Sequence, residues 1–92
     1  MVKRLVQVID PVGLHARPAT VLVMTATKFT NNTIKLITEE GKEIEAKSVL
    51  MVMGSAIKAN VPFTLQFEGE NADQNIEEMI SVLAKQKIIE KL

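Results

Sequence analysis

The chain has one histidine, His15, and it stands in the stretch "DPVGLHARPATVLV", residues 10–23. A neutral imidazole nitrogen is a nucleophile able to attack phosphorus. If His15 occupies the N-cap of a helix beginning at Ala16, the free N–H groups of the first turn face the space beside the ring. The helix dipole makes that space favourable for an anion. Arg17 adds a permanent positive charge with several donors. Gly13 permits a tight turn and leaves the ring uncovered. Pro18 falls in the first helical turn, where its missing N–H has no helical partner to lose. One tension is built in: the residue before a proline is biased away from helical angles, which sets Arg17 against a regular helix start. Together these residues place a nucleophile beside an anion cradle, the requirement for covalent phosphoryl acceptance. The same residues admit a plainer reading, in which His15 is a helix cap or a surface imidazole.

The remaining inventory is narrow. Lys+Arg and Asp+Glu number 11 each, so the formal charge is zero, which argues against a nucleic-acid binder working by bulk electrostatics. With no cysteine, disulfides, thiolate catalysis and cysteine metal sites are excluded, and a single histidine argues against a His-based metal site. No metal or cofactor is expected. The segment "MVKRLVQVIDP" lacks the apolar run of a signal peptide, and no stretch approaches the roughly 18 apolar residues of a membrane span. A cytoplasmic protein is expected, as a single domain over residues 1–92.

The elements that must hold the His15 turn follow from periodicity. "VKRLVQVI" (2–9) is short and β-branched and stops at the turn residues "DPVG", so it reads as a strand. Over 16–29, Ala19, Leu22, Val23, Ala26 and Phe29 recur at helical spacing. "TNN" (30–32) breaks that helix, and "TIKLIT" (33–38) with "EIEA" (43–46) reads as a hairpin around Gly41. Over 47–57 a short helix is predicted, with Ser48 as N-cap and Gly54 near its end. "VPFTLQF" (61–67) alternates as a strand, with Pro62 at its start or on an edge. The remainder, from "ENADQN" to the final "KIIEKL", reads as one helix with acidic residues leading and lysines trailing. The order β-α-β-β-α-β-α predicts an α+β open-faced sandwich: a four-stranded antiparallel sheet covered on one face by three helices.

"GLHARPAT", with "AKSVLMVMG" downstream, resembles the histidine-containing phosphocarriers (HPr) of the phosphoenolpyruvate-dependent sugar phosphotransferase system. The likeness extends over essentially the whole chain, including the element order. It implies that His15 accepts phosphate on Nδ1 from enzyme I and passes it to the IIA domain of a sugar permease. It also implies that Arg17 stabilises the phosphate. Such a protein is a carrier rather than an enzyme acting alone, is peripheral to membrane permeases only, and is expected to be a monomer.

The second segment resembles the surroundings of the serine that HPr kinase/phosphorylase modifies with ATP in some of these carriers, which places that regulation at Ser48. A helix N-cap is the structural role for the same residue, and the two are compatible. Beyond Met53 the chain reads "GSAIKAN" where the family pattern is "SLGIAKG", and Met51 replaces a glycine. Thr20 and Met24 lie off the buried stripe of the first helix, and Val49, Leu50 and Met51 form an apolar run that a short helix cannot bury entirely. These five are the expected docking residues for successive partners. Two other readings stay open: a carrier of the nitrogen-related branch of the same system, and a small ligand-binding regulatory domain without phosphotransfer. A homologue lacking the active histidine is disfavoured by the presence of His15.

Overall fold

The computed structural model describes residues 1–92. Its elements are β1 (Val2–Val8), α1 (Ala16–Thr27), β2 (Asn32–Ile37), β3 (Glu43–Glu45), α2 (Val49–Gly54), β4 (Pro62–Gly69), α3 (Ala72–Lys85) and β5 (Ile89–Lys91). The strands form one sheet in the order β3-β2-β4-β1-β5, every pair antiparallel. Its inner face is a set of cross-strand apolar pairs: Ile44 beside Leu36, Leu36 beside Leu65, Ile34 beside Phe67, Val6 beside Phe63 and Val8 beside Ile89. All are buried, and they merge with Ala19, Leu22 and Ala26 of α1, Val52 of α2, and Ile76, Met79 and Leu83 of α3 into one core. The other face carries polar residues such as Lys3, Gln7, Lys35, Thr64 and Gln66, with Leu5 and Ile37 among its few apolar ones. This is the open-faced sandwich expected from the pattern.

The fifth strand is the difference. The terminal segment does not continue the last helix. At its end Gln86 gives way to Lys87 at φ +60, the Ile88 N–H donates to Leu83 O, and the Lys87 N–H donates to Ala84 O. This pattern closes a helix in a left-handed residue, here a lysine in the place glycine usually takes. Ile88 and Leu83 are both fully buried, so the turn is sealed by apolar contact, and Ile89–Lys91 then pairs with Val6–Val8. Two other bounds move. Helix α1 stops at Thr27, so Phe29 lies beyond it, half-buried with its ring edge-on to Phe67 at 5.5 Å. Pro62 begins β4, a central strand, where the first residue needs no ladder N–H.

Glu77 joins three elements. It accepts from Arg4 Nε of β1 at 2.7 Å and from Lys91 Nζ of β5 at 2.8 Å. The Lys91 hydrogen bond, then that of Arg4, holds its carboxyl below the ordinary value of 4.5. A carboxylate lowered in the fold contributes stability above its unfolded pKa and loses it as pH falls through the folded one. Glu77→Gln is therefore expected to melt earlier than the wild type near pH 7, with the gap closing as the pH falls through the lowered carboxyl pKa. Thermal denaturation across that range measures it; a gap independent of pH would overturn the assignment to ionic contacts.

Candidate functional site

The turn leading into α1 is built by Asp10. Its carbonyl accepts the Gly13 N–H at 2.9 Å, and its Oδ1 accepts the Val12 N–H at 3.0 Å, so side chain and backbone fix the same bend. Gly13 follows at φ +86. A Cβ there would lie 2.7 Å from Ile57 O and 2.9 Å from the Lys58 Cα, so only glycine passes this close to the α2–β4 connection. The Leu14 N–H then donates to Ile57 O at 2.9 Å, and Leu14 is buried. Two anchors immediately before His15 thus hold its backbone still.

His15 is the N-cap of α1, as its position predicts, and its carbonyl accepts the Ala19 N–H. Its side chain makes no capping hydrogen bond, so the imidazole is not there to cap the helix. The ring is 42% exposed and its Nε2 lies 3.3 Å from Asp10 Oδ1. Nδ1 has no protein partner. The Ala16 and Arg17 N–H groups have no acceptor in the protein, and Pro18 contributes none. Arg17 takes regular helical geometry despite the following proline, and its exposed guanidinium pairs with no carboxylate. Two free N–H donors, a free guanidinium and an open ring nitrogen therefore share one exposed helix start.

Ser48 is the N-cap of α2: its Oγ accepts the Met51 N–H at 3.2 Å. The preceding Lys47 donates its ammonium to the carbonyls of Phe29 and Asn32, at 2.9 and 2.7 Å, tying the start of α2 to the connection between α1 and β2. Within α2 only Val52 is buried; Val49, Leu50 and Met51 are exposed, Leu50 at 85%. Thr20 and Met24 are exposed on α1, with the Thr20 hydroxyl donating to Ala16 O. None of these five lines the shallow groove of about 230 Å³ that contains His15. Its walls are Val12, Leu14, Met53, Ala56, Ile57 and Lys58. Val12 and Met53, at 70% and 42% exposed, are the large exposed apolar residues of this groove, and periodicity gave no signal for either. Ala56 and Asn60 stand at φ +55 and +65, the places of the two glycines in the family's "SLGIAKG". A left-handed alanine costs about 1–2 kcal/mol, so this chain carries at Ala56 a strain that a glycine would relieve.

A family model described as "PTS HPr component phosphorylation site" matches residues 2–85. The phosphocarrier protein HPr of Lysinibacillus sphaericus is 49% identical over 78 residues, 85% of this chain and 86% of that protein. The HPr of Mycoplasma pneumoniae is 37% identical over 89 residues, 97% and 100% of the two chains. A solved mycoplasmal histidine-containing phosphocarrier protein superposes with a TM-score of 0.86 at 39% identity, covering 96% of this chain and 98% of its own. Fold and site together define a phosphocarrier class. The chain belongs to the HPr family of the bacterial phosphotransferase system.

Proposed function

We propose that the chain takes a phosphoryl group on His15 from phospho-enzyme I and delivers it to the IIA domains of sugar permeases, working in the cytoplasm. The observation that carries this reading is the open imidazole nitrogen beside two unpartnered N–H groups and a free guanidinium at the start of α1. Nδ1 attacks phosphorus, and the transferred oxygens are received by the Ala16 and Arg17 N–H groups and the Arg17 side chain. Exposure suits a carrier, because a half-open ring can be reached in turn by donor and acceptor, and modest stabilisation leaves the phosphoramidate able to move on. Thr20, Met24, Val49, Leu50 and Met51 form the docking face around this point, joined by Val12 and Met53. The test is incubation with enzyme I and labelled phosphoenolpyruvate, then with a IIA domain. Acid-labile, base-stable label that moves to the acceptor supports the reading; absence of label removes it.

Ser48 serves in the same reading as the site of ATP-dependent modification by HPr kinase/phosphorylase. A phosphate adds about −1.5 to −2 charges next to the exposed Val49, Leu50 and Met51, a surface that must desolvate against enzyme I. One of its oxygens can replace Oγ as acceptor for the Met51 N–H, so the fold survives. The Ser48-phosphorylated protein is expected to need about tenfold more enzyme I for the same labelling rate, equivalent to about 1.4 kcal/mol of docking energy, with its melting temperature nearly unchanged. Rate against enzyme I concentration measures this, and a phosphorylated form that matches wild type at low enzyme I sinks it.

A further inference from the structure

The carboxylate of Asp10 is fixed more tightly than its role in a surface turn needs. Its N–H donates to Ile88 O, its carbonyl accepts from Gly13, its Oδ1 accepts from Val12, and its side chain is only 16% exposed. The same Oδ1 lies 3.3 Å from His15 Nε2, within ion-pair reach, and no other carboxylate lies within 4 Å of the ring nitrogens. The charged residue lining the His15 groove is Lys58, and Arg17 is free of ion pairs.

We propose that Asp10 is a positioning residue for phosphoryl transfer: it holds the imidazole proton on Nε2 and thereby presents Nδ1 as the nucleophile. The proposal rests on the reading of His15 as the phosphoryl acceptor and adds a residue to it. In a neutral ring one nitrogen carries the proton and the other the lone pair, and the partner of the first decides which is which. With the Asp10 carboxylate 3.3 Å from Nε2 favouring the proton there, Nδ1 enters the reaction with a lone pair and no proton to shed. The Nδ1–P bond forms as the bond from phosphorus to the donor breaks, and that bond's electron pair leaves with the donor. The ring now carries both phosphorus and the Nε2 proton and is cationic, with the Asp10 carboxylate against it. On delivery the Nδ1–P bond breaks, its electron pair returns to the ring, and the starting tautomer is restored without proton exchange.

The variants are chosen to keep the turn. Asp10→Ser retains an oxygen for the Val12 N–H but is too short to reach the ring; Asp10→Asn keeps an acceptor and loses the charge. In the unphosphorylated full chain, nitrogen chemical shifts of His15 report the tautomer directly. Asp10→Ser is expected to shift the Nε2–H fraction toward that of free imidazole in water, and to slow labelling at saturating enzyme I by about three- to tenfold, with the enzyme I concentration for half-maximal rate unchanged. Asp10→Asn is expected to fall between Asp10→Ser and wild type. A merely structural aspartate would move the melting temperature without moving the tautomer. An unchanged tautomer, or a changed tautomer with an unchanged rate, overturns the proposal. If Asp10→Ser fails to fold, Asp10→Asn decides, and wild-type values for it are the overturning result. Should the wild type take no label at all, the phosphocarrier reading of His15 fails, while the tautomer still reports whether Asp10 holds the ring.

Discussion

His15→Ala is expected to take up no phosphoryl group from enzyme I and phosphoenolpyruvate, while folding as well as the wild type. Both halves come from the same geometry. The side chain is 42% exposed and makes no cap hydrogen bond, so its loss leaves stability within about 0.5 kcal/mol. The backbone that positions it is held by Asp10, Gly13 and Leu14, none of which is altered. Chemically the loss is complete, because the chain has no second imidazole and no thiol. Serine or threonine phosphate, if any formed, would survive acid, whereas a phosphoramidate does not. Acid-labile label on a folded His15→Ala protein would therefore show that the acceptor is elsewhere. Arg17→Ala gives the graded contrast. Its guanidinium stabilises a group that Nδ1 alone bonds, so transfer should slow by about tenfold rather than stop, less if water screens the contact. Equal rates for Arg17→Ala and wild type in both directions would leave the arginine a solvated side chain.

The His15 turn was legible in the sequence because everything that shapes it is local. Gly13, His15, Arg17 and Pro18 lie within six residues, and each states a backbone or charge requirement by its type. Ser48 was legible for the same reason, as a capping side chain directly before an apolar helical run. Strand β5 was not. "KQKIIEK" is as compatible with helix as with strand, Lys87 hides a left-handed turn that glycine would have announced, and the pairing that decides the matter reaches across the chain from Ile89 to Val8. Asp10 was visible as a turn residue, but its approach to Nε2 depends on a rotamer and on the distance across the bend, which spacing does not encode. Val12 and Met53 became site residues only when the α2–β4 connection folded back onto the His15 loop. The "GSAIKAN" segment places Ala56 and Asn60 at positive φ, where the family pattern has glycines, so local backbone strain is carried by residues that glycine would relieve.

Gly13→Ala is expected to be the most damaging single-methyl change in the region of the site. Two effects add. At φ +86 the alanine backbone is strained by about 1–2 kcal/mol relative to glycine. The new Cβ would also stand 2.7 Å from Ile57 O, 2.9 Å from the Lys58 Cα and 3.2 Å from the Ala59 N, all backbone atoms that cannot rotate away. The loop must separate from the α2–β4 connection, which breaks the Leu14 N–H to Ile57 O bond and draws Leu14 from the core. A total loss of about 2–4 kcal/mol follows, which for a domain of this size lowers the melting temperature by roughly 10–25 °C. Gly41 supplies the control. It has a similar φ of +87 but nothing within 4 Å of its would-be Cβ, so Gly41→Ala carries the strain without the collision and should lose only about 1–2 kcal/mol. The functional consequence separates the two further. At a temperature where both variants are folded, Gly13→Ala should accept phosphate more slowly than wild type, because its His15 backbone has lost an anchor, while Gly41→Ala should keep the wild-type rate. Equal melting temperatures for the two variants would mean that the Gly13 contact relaxes freely, and that the ring of His15 is held by Asp10 and the helix alone.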